Sequence, residues 1–211
     1  MKAVSGFLFL AFILESGCIH IINGPIVIED NITRAGSLET VNGNVSIGAD
    51  CRIEGGASSV NGDIHVGRAS EIGALESING GINLAQDVRV DGDVESVNGS
   101  IACGKNVTIN GSIKAVNGPI QLTQTKVTKD IETYNGDIIL VETSTVSGNI
   151  IVGKSGGSDN RRIITIRIGD GSVVKGNIDV RTDGTKVKVY LGGSGKILGE
   201  IRGAVVMEQE K

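Results

Sequence analysis

The sequence predicts an all-β protein, a single-stranded parallel β-helix (β-solenoid) with triangular coils of 18 or 19 residues. Three observations favour this class: Asn-Gly pairs recur at a nearly constant interval, apolar residues alternate around each pair, and glycine is abundant. Glycine supplies 32 of the 211 residues, while aromatic residues make up only 2%. The hydrophobic fraction of 39% is too high for a disordered chain. The glycines are therefore expected at turns between short buried strands.

The repeat is set by seven Asn-Gly pairs spaced 18 or 19 residues apart. Their asparagines are Asn23, Asn42, Asn61, Asn79, Asn98, Asn117 and Asn135. Each pair precedes two apolar residues at alternate positions, such as Val45 and Ile47. Alternation with period two indicates a short strand with one buried face. We expect each Asn-Gly at a corner where both residues tolerate positive φ, with the amides bonded in a ladder along the stack.

A second apolar strand follows in several units, as at Cys51 and Ile53, and a third strand then carries an apolar residue such as Ala57 or Leu75. Three short strands in 18 or 19 residues close one triangular coil, whereas a leucine-rich repeat or a propeller blade needs a longer unit. No single coil buries its own apolar face, so stacking drives folding. We expect about nine coils. Their handedness stays open, because a six-residue rhythm typical of left-handed helices is broken by the 19-residue units.

The chain divides into five predicted segments. Residues 1–18 contain Lys2, then a short apolar stretch, then the sequence Glu-Ser-Gly-Cys. This combination is typical of a secretory signal. They resemble a bacterial lipoprotein signal with Cys18 as the lipidated residue, although Glu15 departs from that pattern. An ordinary cleaved signal and an apolar first strand are the alternatives. Residues 19–152 form the regular β-helix, 153–162 a Gly/Ser-rich loop, 163–206 irregular C-terminal coils and 207–211 a polar tail.

The two cysteines within the repeats are predicted to be free, buried thiols. Cys51 and Cys103 lie three coils apart, about 14 Å at ~4.8 Å per coil. A disulfide requires Cα atoms within about 7 Å. Neither cysteine has the spacing of a metal site, so no metal is predicted.

No catalytic residue or cofactor-binding residue is predicted. Asp91, Asp93 and Glu95 alternate in a way that suits a solvated sheet face, and His65 points outward between apolar neighbours. Residues 148–155 match the phosphate-loop pattern, but no helical pattern follows them as nucleotide binding requires. The net charge of -4 gives no basic face for nucleic acid.

The repeat units resemble those of bactofilins, the polymer-forming cytoskeletal proteins of bacteria. Segments such as TINGSIKAVNGPI and VDGDVESVNGSI carry the resemblance, which covers roughly residues 22–205. It implies a short β-helix that self-associates end to end through apolar terminal coils, without nucleotide. The exported N-terminus departs from that cytoplasmic family and is more similar to exported "VNG"-repeat proteins of the envelope.

These observations predict a non-enzymatic structural scaffold of the bacterial envelope, held to the membrane by a lipid on Cys18. The expected location is the outer membrane, facing the periplasm. A secreted or periplasmic protein is one alternative, and a cytoplasmic one follows if the N-terminus is not a signal. A surface adhesion or ligand-binding module is the alternative function. A carbohydrate-active β-helix enzyme, using Asp91 or Asp93, is the third.

Overall fold

The computed structural model describes residues 14–15, 17–154, 162–182 and 184–208, and these contain thirty β-strands and no helix. The strands form three parallel sheets of ten strands each, and every sheet takes each third strand along the chain. This is the predicted parallel β-helix. The described residues contain ten stacked strands per sheet, one more than the nine coils expected. The additional coil arises because Leu14–Glu15 and Ile19–Asn23 pair with Thr33–Arg34 and Leu38–Asn42.

Sheet I consists of β1 (Leu14–Glu15), β4 (Thr33–Arg34), β7 (Arg52–Ile53), β10 (Glu71–Ile72), β13 (Arg89–Val90), β16 (Thr108–Ile109), β19 (Lys126–Val127), β22 (Thr145–Val146), β25 (Val173–Val174) and β28 (Lys196–Ile197). Sheet II consists of β2 (Ile19–Asn23), β5 (Leu38–Asn42), β8 (Ala57–Ser59), β11 (Leu75–Ser77), β14 (Val94–Ser96), β17 (Ile113–Ala115), β20 (Ile131–Thr133), β23 (Ile150–Val152), β26 (Ile178–Val180) and β29 (Ile201–Arg202). Sheet III consists of β3 (Ile26–Ile28), β6 (Val45–Ile47), β9 (Ile64–Val66), β12 (Ile82–Leu84), β15 (Ile101–Cys103), β18 (Ile120–Thr123), β21 (Ile138–Val141), β24 (Ile163–Ile168), β27 (Lys186–Leu191) and β30 (Val205–Glu208).

The core is a column of aliphatic side chains running through the stack. Alternate residues of each strand point inward, so Ile101 is fully buried while Ala102 beside it is half-buried. The next coil places Ile120 and Leu122 directly over Ile101 and Cys103. Each coil therefore gains its buried surface from its neighbours, as expected for a solenoid.

The corner between sheets II and III does not use positive φ, contrary to the expectation for Asn-Gly. Of the seven corners, only the one at Gly24 has a positive φ, of 144°. The glycines are required by close stacking instead. A Cβ on Gly62 would lie 2.0 Å from the carbonyl oxygen of Gly43, and one on Gly99 would lie 1.9 Å from that of Gly80. Only a residue without a side chain fits there.

Positive φ occurs instead at the corner between sheets III and I. Asp50 and Ala69 both have φ of 55°, and Asn31, Asp87 and Asn106 occupy the matching positions of other coils with φ of 58° to 64°. Asn and Asp tolerate the left-handed region better than most residues, while Ala69 pays a steric cost there. The chain thus turns from sheet III to sheet I through a left-handed residue at this corner.

The C-terminal coils differ from the regular ones in strand length. Strands β24 and β27 of sheet III each have six residues, where the earlier strands of that sheet have three or four. Strand β30 continues to Glu208, two residues into the segment predicted as a polar tail. The predicted loop at 153–162 lies mostly outside the described residues, as does most of the predicted signal at 1–18.

Candidate functional site

A ladder of asparagine side chains follows the corner between sheets II and III. Nδ2 of Asn42 donates to Oδ1 of Asn23 at 2.8 Å. The same 2.8 Å bond links Asn61 to Asn42, Asn79 to Asn61, Asn98 to Asn79 and Asn117 to Asn98. The ladder ties six successive coils together at their exposed corner. Asn135, the seventh predicted member, makes no such bond among the described residues, and Tyr134 beside it packs over Gly153.

A second row of polar side chains lies inside the same corner, two residues before the ladder. These hydroxyl groups are buried and donate to a glycine carbonyl of the preceding coil, as Ser59 does to Gly43 at 2.9 Å and Thr40 to Gly24 at 3.0 Å. Ser77 and Ser96 continue the row with bonds to the Gly62 and Gly80 carbonyl oxygens, whereas Thr133 at the matching position donates to the Gly136 carbonyl oxygen of its own coil at 3.1 Å. Sequence reasoning missed this row. The signal is the Ser or Thr that precedes most Asn-Gly pairs by two residues, on the face otherwise filled by aliphatic side chains.

The candidate carboxylates do not share one strand. Asp91 and Asp93 lie in the corner between β13 and β14, and only Glu95 lies on β14. Oδ1 of Asp91 accepts a bond from Asn110 Nδ2 at 2.9 Å, and Oδ1 of Asp93 accepts one from the Ser112 amide at 2.7 Å. Both groups therefore bond to the next coil. These are structural contacts.

His65 and the phosphate-loop match at 148–155 occupy the positions that the alternation of apolar residues predicts. His65 is exposed between Ile64 and Val66, which are both buried. Residues 148–155 are described up to Lys154 and contain strand β23, with Ile150 and Val152 in the core. Strand β24 begins at Ile163, so the described residues after this segment form a strand rather than a helix.

Cys51 and Cys103 are buried free thiols, as predicted. Burial raises the pKa of Cys103 to about 12 and also raises that of Cys51. Sγ of Cys51 donates to the Glu29 carbonyl oxygen at 3.1 Å, much as Ser70 one coil later donates to that of Gly48 at 2.9 Å. Among the described residues, no group of three His, Cys, Asp or Glu side chains is arranged to hold a metal ion.

Cys18 is exposed at the start of the stack and directly precedes β2. Nη2 of Arg34 donates to the carbonyl oxygen of Gly17, next to Cys18, at 2.7 Å. Arg34 occupies an inward position in β4, in register with the aliphatic Ile53, and only 5% of it is exposed. The N-terminal end of the core thus contains a charged group. Within the described segments, we find no helix long and apolar enough to cross a bilayer.

The C-terminal end of the core is apolar and open. Ile197, Ile201 and Val206 pair in register with Val174, Ile178 and Val189 of the preceding coil, which are fully buried. Val206 is nevertheless 44% exposed, and Ile197 and Ile201 are half-buried. Among the described residues no further coil covers these three side chains. No known protein family, curated protein or solved structure matches the chain.

Proposed function

We propose that the protein is a non-enzymatic structural scaffold whose molecules associate end to end, in the manner of the bactofilins that its repeats resemble. The open last coil is the observation that carries this proposal. Its three core positions are aliphatic and lie at the open end of the stack, where the preceding coil buries Val174, Ile178 and Val189. A second molecule stacked there would continue the core.

Two physical terms favour such stacking. Completing the burial of an aliphatic side chain contributes up to ~1.5–3 kcal/mol per residue, in proportion to the area still exposed. The strands β28, β29 and β30 are also the last described strands of their sheets, so among the described residues each has one edge of backbone N–H and C=O groups without a neighbouring strand. Such edges are templates for pairing with another chain.

The N-terminal end of the stack is less suited to association than the last coil. Arg34 points into the core there, and an inward charge is one of the devices that discourage pairing at an edge. Processing before Cys18 would remove Gly17, whose carbonyl accepts the Arg34 bond, together with strand β1. The last coil therefore provides the principal end-to-end contact between molecules.

We further propose that the scaffold belongs to the bacterial envelope, with a lipid on Cys18. The first strand of sheet II begins at Ile19, so no linker separates Cys18 from the stack. A lipid there would hold the first coil against the membrane surface. The open last coil would then lie at the far end of the rod, free to meet another molecule.

The association surface is tested with Ile201→Asp, measured by sedimentation velocity. Ile201 is half-buried and points into the open end, so a carboxylate there would be buried at the contact. We expect at least a tenfold loss of association. Arg202→Asp is the matched control, because Arg202 is exposed and points outward on the same strand. Association of Ile201→Asp equal to that of the unmodified protein would contradict the proposal.

A further inference from the structure

The two parts of the chain carry opposite net charge. Residues 17–152 contain 8 Lys or Arg and 16 Asp or Glu, a net charge of -8. Residues 153–211 contain 11 Lys or Arg and 7 Asp or Glu, a net charge of +4. A rod with separated charges of opposite sign attracts other copies of itself most strongly when unlike regions meet.

Three cations of the C-terminal coils lie on the strands of sheet III, whereas the other two sheets carry one each. Arg167 of β24 and Lys186 and Lys188 of β27 point outward, and we call these three side chains the basic face. Register pairs Lys186 with Ile163, Lys188 with Thr165, and Arg167 with Tyr190. The described outward side chains of β24, β27 and β30 include no carboxylate, and none of the three cations forms an ion pair with a described residue. Within the part of the chain that the structure describes, this face is therefore cationic and has no carboxylate partner.

The negative charge of the regular coils includes a row on sheet II, which we call the acidic stripe. It consists of Glu39, Glu76 and Glu95 on outward positions, with Ser58 between the first two. Lys114 follows Glu95 in register and ends the stripe. Glu76 and Glu95 are direct neighbours in register, and neither forms an ion pair with a described residue. Like charges directly opposite each other destabilise a sheet. The stripe thus carries a cost that a cationic partner would remove.

Sheet I shows how the same fold neutralises such a row within one molecule. Its outward positions place Glu71 between Arg52 and Arg89 of the adjacent coils. Glu71 forms ion pairs with both, at 3.2 Å in the case of Arg89. The stripe on sheet II lacks this alternation where Glu76 meets Glu95.

A depression of about 300 Å³ lies on the acidic stripe between Glu39 and Glu76. Small residues form its floor, namely Gly56, Ala57, Ser58 and Ala74. The two carboxylates stand two coils apart, about 10 Å at ~4.8 Å per coil. A lysine or arginine side chain entering this space would meet a carboxylate on each side.

We infer that a second copy of this chain docks its basic face onto the acidic stripe, side by side with the first. The inference rests on the proposed scaffold function and adds a lateral contact to the end-to-end one. The two surfaces lie on different sheets and in different coils, so the contact is heterologous. The docking molecule keeps its acidic stripe free, and the other molecule keeps its basic face free. Such contacts propagate into open assemblies. The two contacts together would join rods into layers.

Charge reversal tests the lateral contact in the background of Ile201→Asp, which removes the end contact. Glu76→Lys/Glu95→Lys changes the stripe, and Lys186→Glu/Lys188→Glu changes the basic face. At low salt each double variant alone should lose association by at least tenfold, and an equimolar mixture of the two should recover it. Lys126→Glu, at an exposed outward position of sheet I, is the control and should not change association. Circular dichroism verifies that each variant is folded.

Three outcomes would overturn the lateral contact. One is an Ile201→Asp protein that is monomeric at low salt while the unmodified protein still associates, which leaves the end-to-end scaffold intact. Another is association that persists in about 0.5 M salt, where the Debye length is only about 4 Å. The third is a basic face that binds vesicles containing phosphatidylglycerol, with no self-association, which assigns that face to a membrane. Absence of any association in the unmodified protein contradicts the scaffold function itself.

Discussion

At the scale of single residues, the ladder asparagines hold adjacent coils together at an exposed corner. Each interior member donates one bond and accepts one, as Asn79 does with Asn61 and Asn98. The amide groups are exposed, so each bond replaces contacts with water and contributes a modest net stability. The ladder bonds fix the register of one coil on the next. A shift of the register by one residue would break all of them at once.

We expect Asn79→Ala to lower the free energy of unfolding by about 1–2 kcal/mol, because two ladder bonds are lost. Urea denaturation followed by circular dichroism measures the change. Asn135→Ala is the matched control, since Asn135 stands outside the ladder, and it should cost clearly less. Equal losses for the two variants would show that the ladder bonds contribute nothing.

The buried thiol of Cys103 makes stability depend on pH in the alkaline range. Its folded pKa of about 12 is raised by burial above the ordinary value of 9.0. The folded state therefore keeps a proton that the unfolded state loses above pH 9. Stability is fully present below pH 9 and falls as the pH rises toward 12, by about 1.4 kcal/mol per pH unit for this thiol.

Cys103→Ala should remove this part of the pH dependence, although it lowers stability at pH 7 by leaving a small cavity. Urea denaturation of both proteins at pH 7 and pH 10.5 gives the comparison. We expect the difference in unfolding free energy between the two proteins to shrink at the higher pH. A constant difference would mean that the thiol is not shielded from ionisation.

At the scale of strands and corners, the sequence predicts the strands well and the corners poorly. Alternating apolar residues such as Ile64 and Val66 identify a strand and its buried face, because burial on one face requires period two. The conformation of a corner depends on the coil stacked beneath it, which a single repeat does not reveal. Asn-Gly therefore suggested positive φ, while the structure uses its glycine for close approach and places positive φ at residues such as Ala69.

The buried hydroxyl row and the Arg34 position were missed for a related reason. Each departs from the aliphatic pattern of an inward position, and only the bonds to the preceding coil explain why the side chain is tolerated. Ser59 and Arg34 both donate to glycine carbonyl oxygens of that coil. A polar residue at an inward position within a strict repeat is the sequence signal that identifies such bonds.

The close stacking of corner glycines predicts a large difference between two glycine substitutions. Gly99→Ala should lower the free energy of unfolding by several kcal/mol, because its Cβ would lie 1.9 Å from the carbonyl oxygen of Gly80. Gly104→Ala should cost far less, since its nearest contact would be 3.1 Å and the previous coil has Ala85 at the matching position. Thermal unfolding of both variants measures the difference, and similar melting temperatures would contradict the steric account.

At the scale of the whole molecule, the described coils form a stack whose two ends differ. Nine intervals between ten strands, at ~4.8 Å each, give a length of about 43 Å. Arg34 lies in the core near one end, and Ile197, Ile201 and Val206 form the open apolar surface of the other. The sequence predicted the rod and its repeat. The exposure of the last coil could not be predicted, because Ile197, Ile201 and Val206 follow the same local pattern as the buried residues of earlier coils.

The proposed anchor makes a prediction at this scale too. When the full-length gene is expressed in a bacterium, we expect the mature protein to begin at Cys18, carry a diacylglyceryl group and partition into detergent. Intact-mass spectrometry and detergent phase separation measure these properties. Cys18→Ser should leave the chain unlipidated and in the aqueous phase, while Cys51→Ser should not alter the lipid. An unmodified Cys18 in the exported protein would contradict the proposed anchor.

The central claim is that the open last coil joins molecules end to end. Negative-stain electron microscopy of the purified protein without nucleotide, together with sedimentation velocity, tests it most directly. We predict assemblies in which rods of about 43 Å meet at their ends. A monodisperse population of single rods of that length, at all protein concentrations tested, would contradict the claim.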